Sequence, residues 1–413
     1  MKNQRLNILL CHNHYQHPGG EDSTFADESM LLESHGHNVI RYTMHNDDIC
    51  DMRRTKLAVK TMWNRQTYYE VRALVREHRP AVMHCTNTFP LISPSVYYAA
   101  KDESVPVVQS LHNYRMFCAN SLFLRDGRAC EDCLGKRIPW PAMVHGCYRE
   151  SRLATAAVIS MVAIHRFMRT WIDAIQLYCT PTEFARQKFI QGGIASEKIV
   201  VKPNFVGEDR GVGEGRGNYV VFAGRLSREK GIETLLQVWR QLTDCITLKI
   251  VGDGPISDVV ARAASHDSRI QWMGQRSCQE VAAIIGEAKC VLLPSICYET
   301  FGRTVIEAYC KGTPVIVSDG GAIAELVREN ETGYLFESGN ADQLLAKLNV
   351  LLANTAPQRM RQAARRAYEL KYTAEENYRQ LLDLYSRASN KVQHATVAPI
   401  VAGDPVIDPQ VSS

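Results

Sequence analysis

The chain has 413 residues, 45% of them hydrophobic and 22% charged, with a formal net charge of +4. That length exceeds one ordinary domain and suits two of roughly 150 to 200 residues. The composition is that of a soluble globular protein, and the scattered basic residues argue against a nucleic-acid partner.

The opening segment, MKNQRLNILLCHNHY, holds an apolar run too short for a signal core. No stretch reaches the ~20 apolar residues that a membrane span needs. Thirteen cysteines without a secretory signal fit a reducing compartment. The expected location is the cytoplasm, either free or at the inner face of the cytoplasmic membrane.

Short β-branched runs then alternate with helical periods. RLNILLC reads as a first strand, followed by a loop and a helix from about Asp22 to His35. NVIRY, AVMHC, VPVVQSL, QLYCT and KIVVKPN continue the series. A second series runs through NYVVFAG, CITLKIVG, RIQWMG, KCVLLPS, TPVIVS and TGYLF. Strands alternating with helices predict parallel sheets covered on both faces, and two series predict two doubly wound, Rossmann-like domains in an α/β chain. The glycine-rich stretch 205–218, FVGEDRGVGEGRGN, reads as the linker. The expected domains are residues 1–205, with a cysteine-rich insert at about 115–147, and residues 206–372. Residues 373–390 are expected to form a helix that returns toward the first domain, and 391–413 a disordered tail. Between Arg152 and His165, the apolar run Leu153–Ile164 suits either a buried helix or an interfacial one.

Ligands of open parallel sheets bind beyond the carboxyl ends of the strands. Arg225 and Lys230 follow the first strand of the second series. Glu299, Gly302 and Glu307 follow its fourth strand. Within one helix, eight residues would separate the two carboxylates by about 12 Å. If the helix instead begins near Arg303, both can approach one ligand from different sides. Cations and a helix N-terminus suit a diphosphate, carboxylates suit sugar hydroxyls, and Gly302 allows close backbone approach. Together they describe a sugar nucleotide. No Asp-x-Asp metal motif is evident, so Arg225 and Lys230 are expected to take the place of a divalent ion. The three histidines of HNHYQHPGG could suggest a metal, for which their i, i+2, i+5 spacing in a loop is weak evidence.

GRLSREKGIETLL, IVGDGP, the run from PSICYETFGRTVIEAYC to AELV, and ETGYLF resemble the C-terminal half of the family 4 glycosyltransferases. HPGGED and SLHNYR resemble that family's glycine-rich loop and active-site histidine strand. The resemblance covers nearly the whole chain except the tail. It implies the two-domain GT-B fold and transfer of a hexose with retention, from a nucleotide-sugar donor to a glycan or lipid-linked acceptor in cell-surface polysaccharide synthesis. It implies that Glu299 contacts the donor sugar and Glu307 the ribose, while Arg225 and Lys230 neutralise the departing diphosphate. Backbone amides at Gly19, Gly20, Phe301 and Gly302 would face the phosphates. His112 would sit near the transferred sugar; the alternative is a buried histidine bonded to a carbonyl. Gln275 and Arg276 are candidates for the base, and Glu21 for the acceptor. Other readings are a sugar-nucleotide epimerase of similar fold and a non-catalytic zinc-bearing module.

Cys118, Cys130, Cys133 and Cys147 follow His112 with the spacing C-x11-C-x2-C-x13-C. A CxxC pair with two outlying cysteines in a Gly/Pro-rich loop matches a structural zinc site, with His145 as a substitute ligand. Ordinary or redox-labile thiols are the alternative.

Overall fold

The computed structural model describes residues 5–17, 19–243 and 245–396. One six-stranded sheet is built from β1 (Asn7–His14), β2 (Asn38–His45), β3 (Val82–Asn87), β4 (Val107–Ser110), β5 (Leu177–Thr180) and β6 (Ile199–Val201). Its order is β2-β1-β3-β4-β5-β6, with every pair parallel. A second six-stranded sheet comprises β7 (Tyr219–Ala223), β8 (Thr247–Val251), β9 (Ile270–Gly274), β10 (Val291–Leu293), β11 (Val315–Ser318) and β12 (Gly333–Phe336). Its order is β9-β8-β7-β10-β11-β12, again parallel throughout. The switch of direction between β1 and β3, and between β7 and β10, opens a crevice at the strand ends of each sheet.

Strand alternation divides each core into two layers. Leu9, Cys11, Met83 and Val107 pack on one face of the first sheet, and Ile8, Leu10, Val82, Val108 and Leu177 on the other. In the second sheet Val220 and Phe222 oppose Val221 and Ala223. Strands buried on both faces are apolar throughout, as in the fully buried VIVS of β11.

The final helix, Ala374–Thr396, lies on the first sheet, placing Leu381, Leu384, Tyr385 and Ala388 in its core. Their i, i+3, i+4, i+7 spacing makes a single apolar stripe. Residues 391–396 are therefore helical where a disordered tail was expected. No proline interrupts the helix before Pro399, and 397–413 lie outside the described residues. Beneath this helix Lys202 Nζ donates to Glu28 Oε1 at 2.6 Å. His84 spans Tyr385 Oη at 2.9 Å and Ser110 Oγ at 2.8 Å.

The glycine-rich stretch after Phe205 is laid on the second domain. Backbone amides of Gly213, Gly215 and Gly217 donate to the carbonyls of Lys311, Gly286 and Glu287. The buried Arg361 guanidinium binds the Gly213 and Gly286 carbonyls.

Candidate active site

The loop after β10 carries Glu299, and two glycines fix its course. A Cβ on Gly231 would lie 1.9 Å from the Pro294 carbonyl oxygen, so the turn Arg228–Lys230 can press against the loop only with glycine there. Gly302 has φ of 110° and caps the helix Arg303–Cys310, where a side chain would strike Ile323. Lys230 Nζ thereby reaches Glu299 Oε1 at 2.9 Å, and the Ser295 hydroxyl donates to the same oxygen. Burial opposes the charge on Glu299, but Lys230 and Ser295 outweigh it and hold the carboxyl below its ordinary range. Burial likewise works against the Lys230 ammonium, and Glu299 more than restores it. The pair is ionised at neutral pH.

The same loop is tied to the first domain. Thr300 Oγ1 donates to the His112 carbonyl at 2.8 Å, Thr182 Oγ1 to the Thr300 carbonyl at 2.9 Å, and Tyr114 Oη to the Glu299 carbonyl at 3.4 Å. The Glu325 carboxylate accepts from the amides of Glu183 and Phe184, where the helix Glu183–Gln191 begins. Glu299 is thus held beside the strand end that carries His112. The His112 Nδ1 is buried and has no hydrogen-bond partner, so the ring is not a structural histidine bonded through that nitrogen to a carbonyl. Burial, with the nearby Lys202 and His84 adding to it against the pull of Glu28, lowers its pKa to about 3. The ring is neutral.

Glu307 opens onto a cavity of about 800 Å³ between the domains, shared with Gln275, Arg276, Gly224, Asp27 and Arg303. Arg303 donates to Glu307 Oε1 at 3.1 Å and to Asp27 across the cleft. Its Nη1 is buried without a partner. Gln275 and Arg276 therefore share one cavity with Glu307, whereas Glu299 and Lys230 form a separate pair. Arg225 is exposed just before the turn Arg228–Lys230. The Phe301 side chain is in the core, its ring 6.2 Å from that of Tyr372, so this residue offers the cleft its backbone only.

On the facing domain, Gly19 and Gly20 lie exposed at the start of the helix Gly20–Ser34. Asp22 accepts from His12, His14 and the Tyr15 and Gly19 amides. Burial disfavours its charge, but these bonds prevail and its pKa is lowered. His12, His14 and Asp22 bring ligand atoms within 4.8 Å of one another, yet the carboxylate is already committed to folding the glycine-rich loop. Glu21 accepts from Tyr15 Oη at 2.9 Å and Asn113 Nδ2 at 2.8 Å. Burial raises its pKa despite both bonds. Sequence reasoning missed Asp27, Thr300 and Asn113; only the nearness of Thr300 and Asn113 to Glu299 and His112 in the chain pointed toward them.

The four cysteines of the insert are neighbours. Burial, followed by Cys118, Cys147 and Cys130, raises the Cys133 thiol to about 11. Among the described residues these sulfurs are not among the ligand atoms grouped closely enough to hold a metal; tetrahedral zinc with 2.3 Å bonds would hold its sulfurs about 3.8 Å apart. His145 is exposed. The set suits zinc in kind, and zinc here is a proposal. It predicts about one zinc per chain in untagged protein and its loss in Cys133→Ser. A metal-free wild type with four reactive thiols would overturn it.

Two doubly wound domains that meet strand end to strand end, with charged residues from both lining the cleft, constitute the GT-B fold. Residues 209–367 match the family described as glycosyl transferases group 1. Phosphatidyl-myo-inositol mannosyltransferase of Mycobacterium leprae is 28% identical over 201 residues, covering 48% of this chain and 50% of that protein. Lipopolysaccharide 1,2-N-acetylglucosaminetransferase of Salmonella typhimurium is 29% identical over 171 residues, 38% of this chain and 45% of its own length. The matches thus span about half the length of these curated relatives. Among solved structures, Anabaena HepE in complex with UDP and glucose superposes with a TM-score of 0.67 at 16% identity, covering 92% of this chain and 100% of that one. Sucrose-phosphate synthase from Thermosynechococcus elongatus gives 0.69 at 16% identity, covering 94% and 100%. At that identity both likenesses concern the fold.

Proposed function

We propose that the protein is a retaining glycosyltransferase that moves a hexose from a nucleotide-sugar donor to a hydroxyl of a glycan or lipid-linked acceptor, in cell-surface polysaccharide synthesis in the cytoplasm. The observation that carries this reading is the Lys230–Glu299 pair held beside His112, next to the inter-domain cavity that Glu307 enters. The nucleotide occupies that cavity, with Glu307 on the ribose hydroxyls and Gln275 and Arg276 at the base. The diphosphate lies toward Lys230, Arg225 and the amides at Gly302, Gly19 and Gly20. As the glycosidic bond breaks, negative charge grows on the leaving phosphate and positive charge on the sugar. Lys230 and Arg225 stabilise the former without a metal, and Glu299 orients the sugar hydroxyls. The neutral His112 can hydrogen-bond a sugar hydroxyl without adding a cation beside the forming oxocarbenium. The group 1 family match and the UDP and glucose bound by HepE support the donor class.

A thermal-shift screen of nucleoside diphosphates tests this, because a ligand of the folded state raises its stability by mass action. With the best nucleoside diphosphate, Glu307→Ala is expected to lose roughly 1.5–3 kcal/mol of binding, as hydrogen bonds to a charged group disappear. Unchanged affinity would remove Glu307 from the ribose site. Product analysis with the matching sugar nucleotide and no acceptor then separates transfer from epimerisation.

A further inference from the structure

We infer that the outer face of the helix Arg152–Phe167, with the short helices beside it, docks the protein on an anionic lipid bilayer. The inner face of this helix buries Thr155, Val158, Ile159, Met161, Val162 and His165. Its outer face ought to be polar, as on an ordinary surface helix. Instead, Leu153 is 84% exposed, Ile164 42% and Phe167 90%. The twelve residues from 153 to 164 contain no charge.

The exposed apolar surface continues on both sides. The helices Trp140–His145 and Thr170–Asp173 pack against the long helix. They and the adjoining residues leave Trp140, Met143, Val144, Met168 and Ile172 exposed. Contiguous apolar patches of this kind on a soluble protein mark interaction sites.

Charge selects the partner. Residues 136–173 contain six Lys or Arg and two acidic residues, an excess of four that equals the net charge of the whole chain. Lys136, Arg137, Arg149 and Arg152 are exposed around the apolar residues. An apolar face rimmed by cations, with a tryptophan on it, suits the boundary between anionic headgroups and acyl chains. A second copy of this chain would set the same basic rim against itself. No helix among the described residues is long and apolar enough to cross a membrane, so the contact would be peripheral.

The surface also adjoins the candidate site. Met161 and Val162, on the inner face of the same helix, line a cavity of about 70 Å³ with Trp171, Asn113 and His112. If the transferase reading holds, a lipid-held hydroxyl would approach His112 from this side. The docking itself does not depend on that reading and is measured without activity.

Flotation of the full chain with phosphatidylcholine vesicles, with and without about one third phosphatidylglycerol, tests the inference. The protein is expected to float with the anionic vesicles and not the neutral ones, and to be released by salt as the Debye length shrinks. Leu153→Glu combined with Phe167→Glu should reduce the floated fraction about tenfold or more, leaving the circular dichroism and the nucleoside-diphosphate thermal shift unchanged. Brominated lipid should quench wild-type fluorescence more than that of Trp140→Phe. Failure to float, or equal flotation of the double variant, would overturn the inference. So would light scattering that finds a dimer which the double variant dissolves, since the face would then be a self-association surface.

Discussion

Replacing Lys230 by alanine is expected to lower turnover at saturating donor by about 10²–10³-fold, the loss that follows removal of one preorganised stabiliser of developing charge. Lys230 is held in position before any donor arrives. Its ammonium sits 2.9 Å from Glu299, and Gly231 pins its turn against the loop that carries Glu299. A diphosphate bound there gains most from the ammonium when the sugar–phosphate bond is nearly broken and the leaving oxygen is most negative. The interaction therefore lowers the barrier more than it tightens ground-state binding. Arg225, exposed just before that turn, should give a smaller loss because water screens it. Lys230→Arg should recover part of the rate, since the charge is kept but the compact point charge becomes a planar fork. Single-turnover and steady-state kinetics with the donor found in the nucleotide screen check this. A rise in KM at unchanged kcat would mean that Lys230 binds ground and transition states equally. A Lys230→Ala enzyme fully active in EDTA would remove the residue from leaving-group chemistry.

The parts of the structure that were legible in the sequence are those set by local periodicity. VVFA, TLKIV and VIVS read as strands because parallel strands covered on both faces must be apolar nearly throughout. The start of the helix at Arg303 was legible because Gly302 precedes it and an apolar period follows. What joins the domains was not legible. Thr300 meets His112 across 188 residues, and Arg303 meets Asp27 across 276; no periodic signal spans such distances. Phe301 stands in the glycine-flanked segment that faces the cleft, but its side chain turns into the core against Tyr372, a choice that only tertiary packing makes. The run Leu153–Ile164 suited either a buried or an interfacial helix, and the structure explains the ambiguity: one face is buried and the opposite face is apolar and exposed. The end of the last helix was misread because Lys391 was taken as the end of the pattern, although no helix breaker follows until Pro399.

Lowering the pH from 7 to 5 is expected to destabilise the first domain by about 2 kcal/mol through His84 alone, at 1.36 kcal/mol per pH unit below the unfolded value of about 6.5. His84 is 1% exposed. Burial, together with the nearby Lys202 and against the pull of Glu28, lowers its pKa to about 4. Between pH 6.5 and 4 the unfolded chain binds a proton that the folded chain refuses, so stability falls with each step of acidification and levels off only below about pH 4. Glu28 acts in the same direction. Burial opposes its charge, but Lys202 prevails and its pKa is lowered, so its contribution is present above the unfolded carboxylate value and is lost as pH falls through the folded one. The ring of His84 also joins Ser110 on the sheet to Tyr385 on the final helix. Protonation makes both ring nitrogens donors, with Lys202 already nearby. For a domain of this size, about 2 kcal/mol corresponds to roughly 4–8 °C in melting temperature. His84→Gln keeps a donor and an acceptor within reach of Tyr385 and Ser110 but cannot titrate. It should therefore show a shallower decline from pH 7 to 5 than the wild type, whatever its stability at pH 8. Equal slopes for the two proteins would show that His84 does not cause the acid sensitivity. A wild-type melting temperature that does not change between pH 7 and 5 would show that the buried ring carries no such penalty.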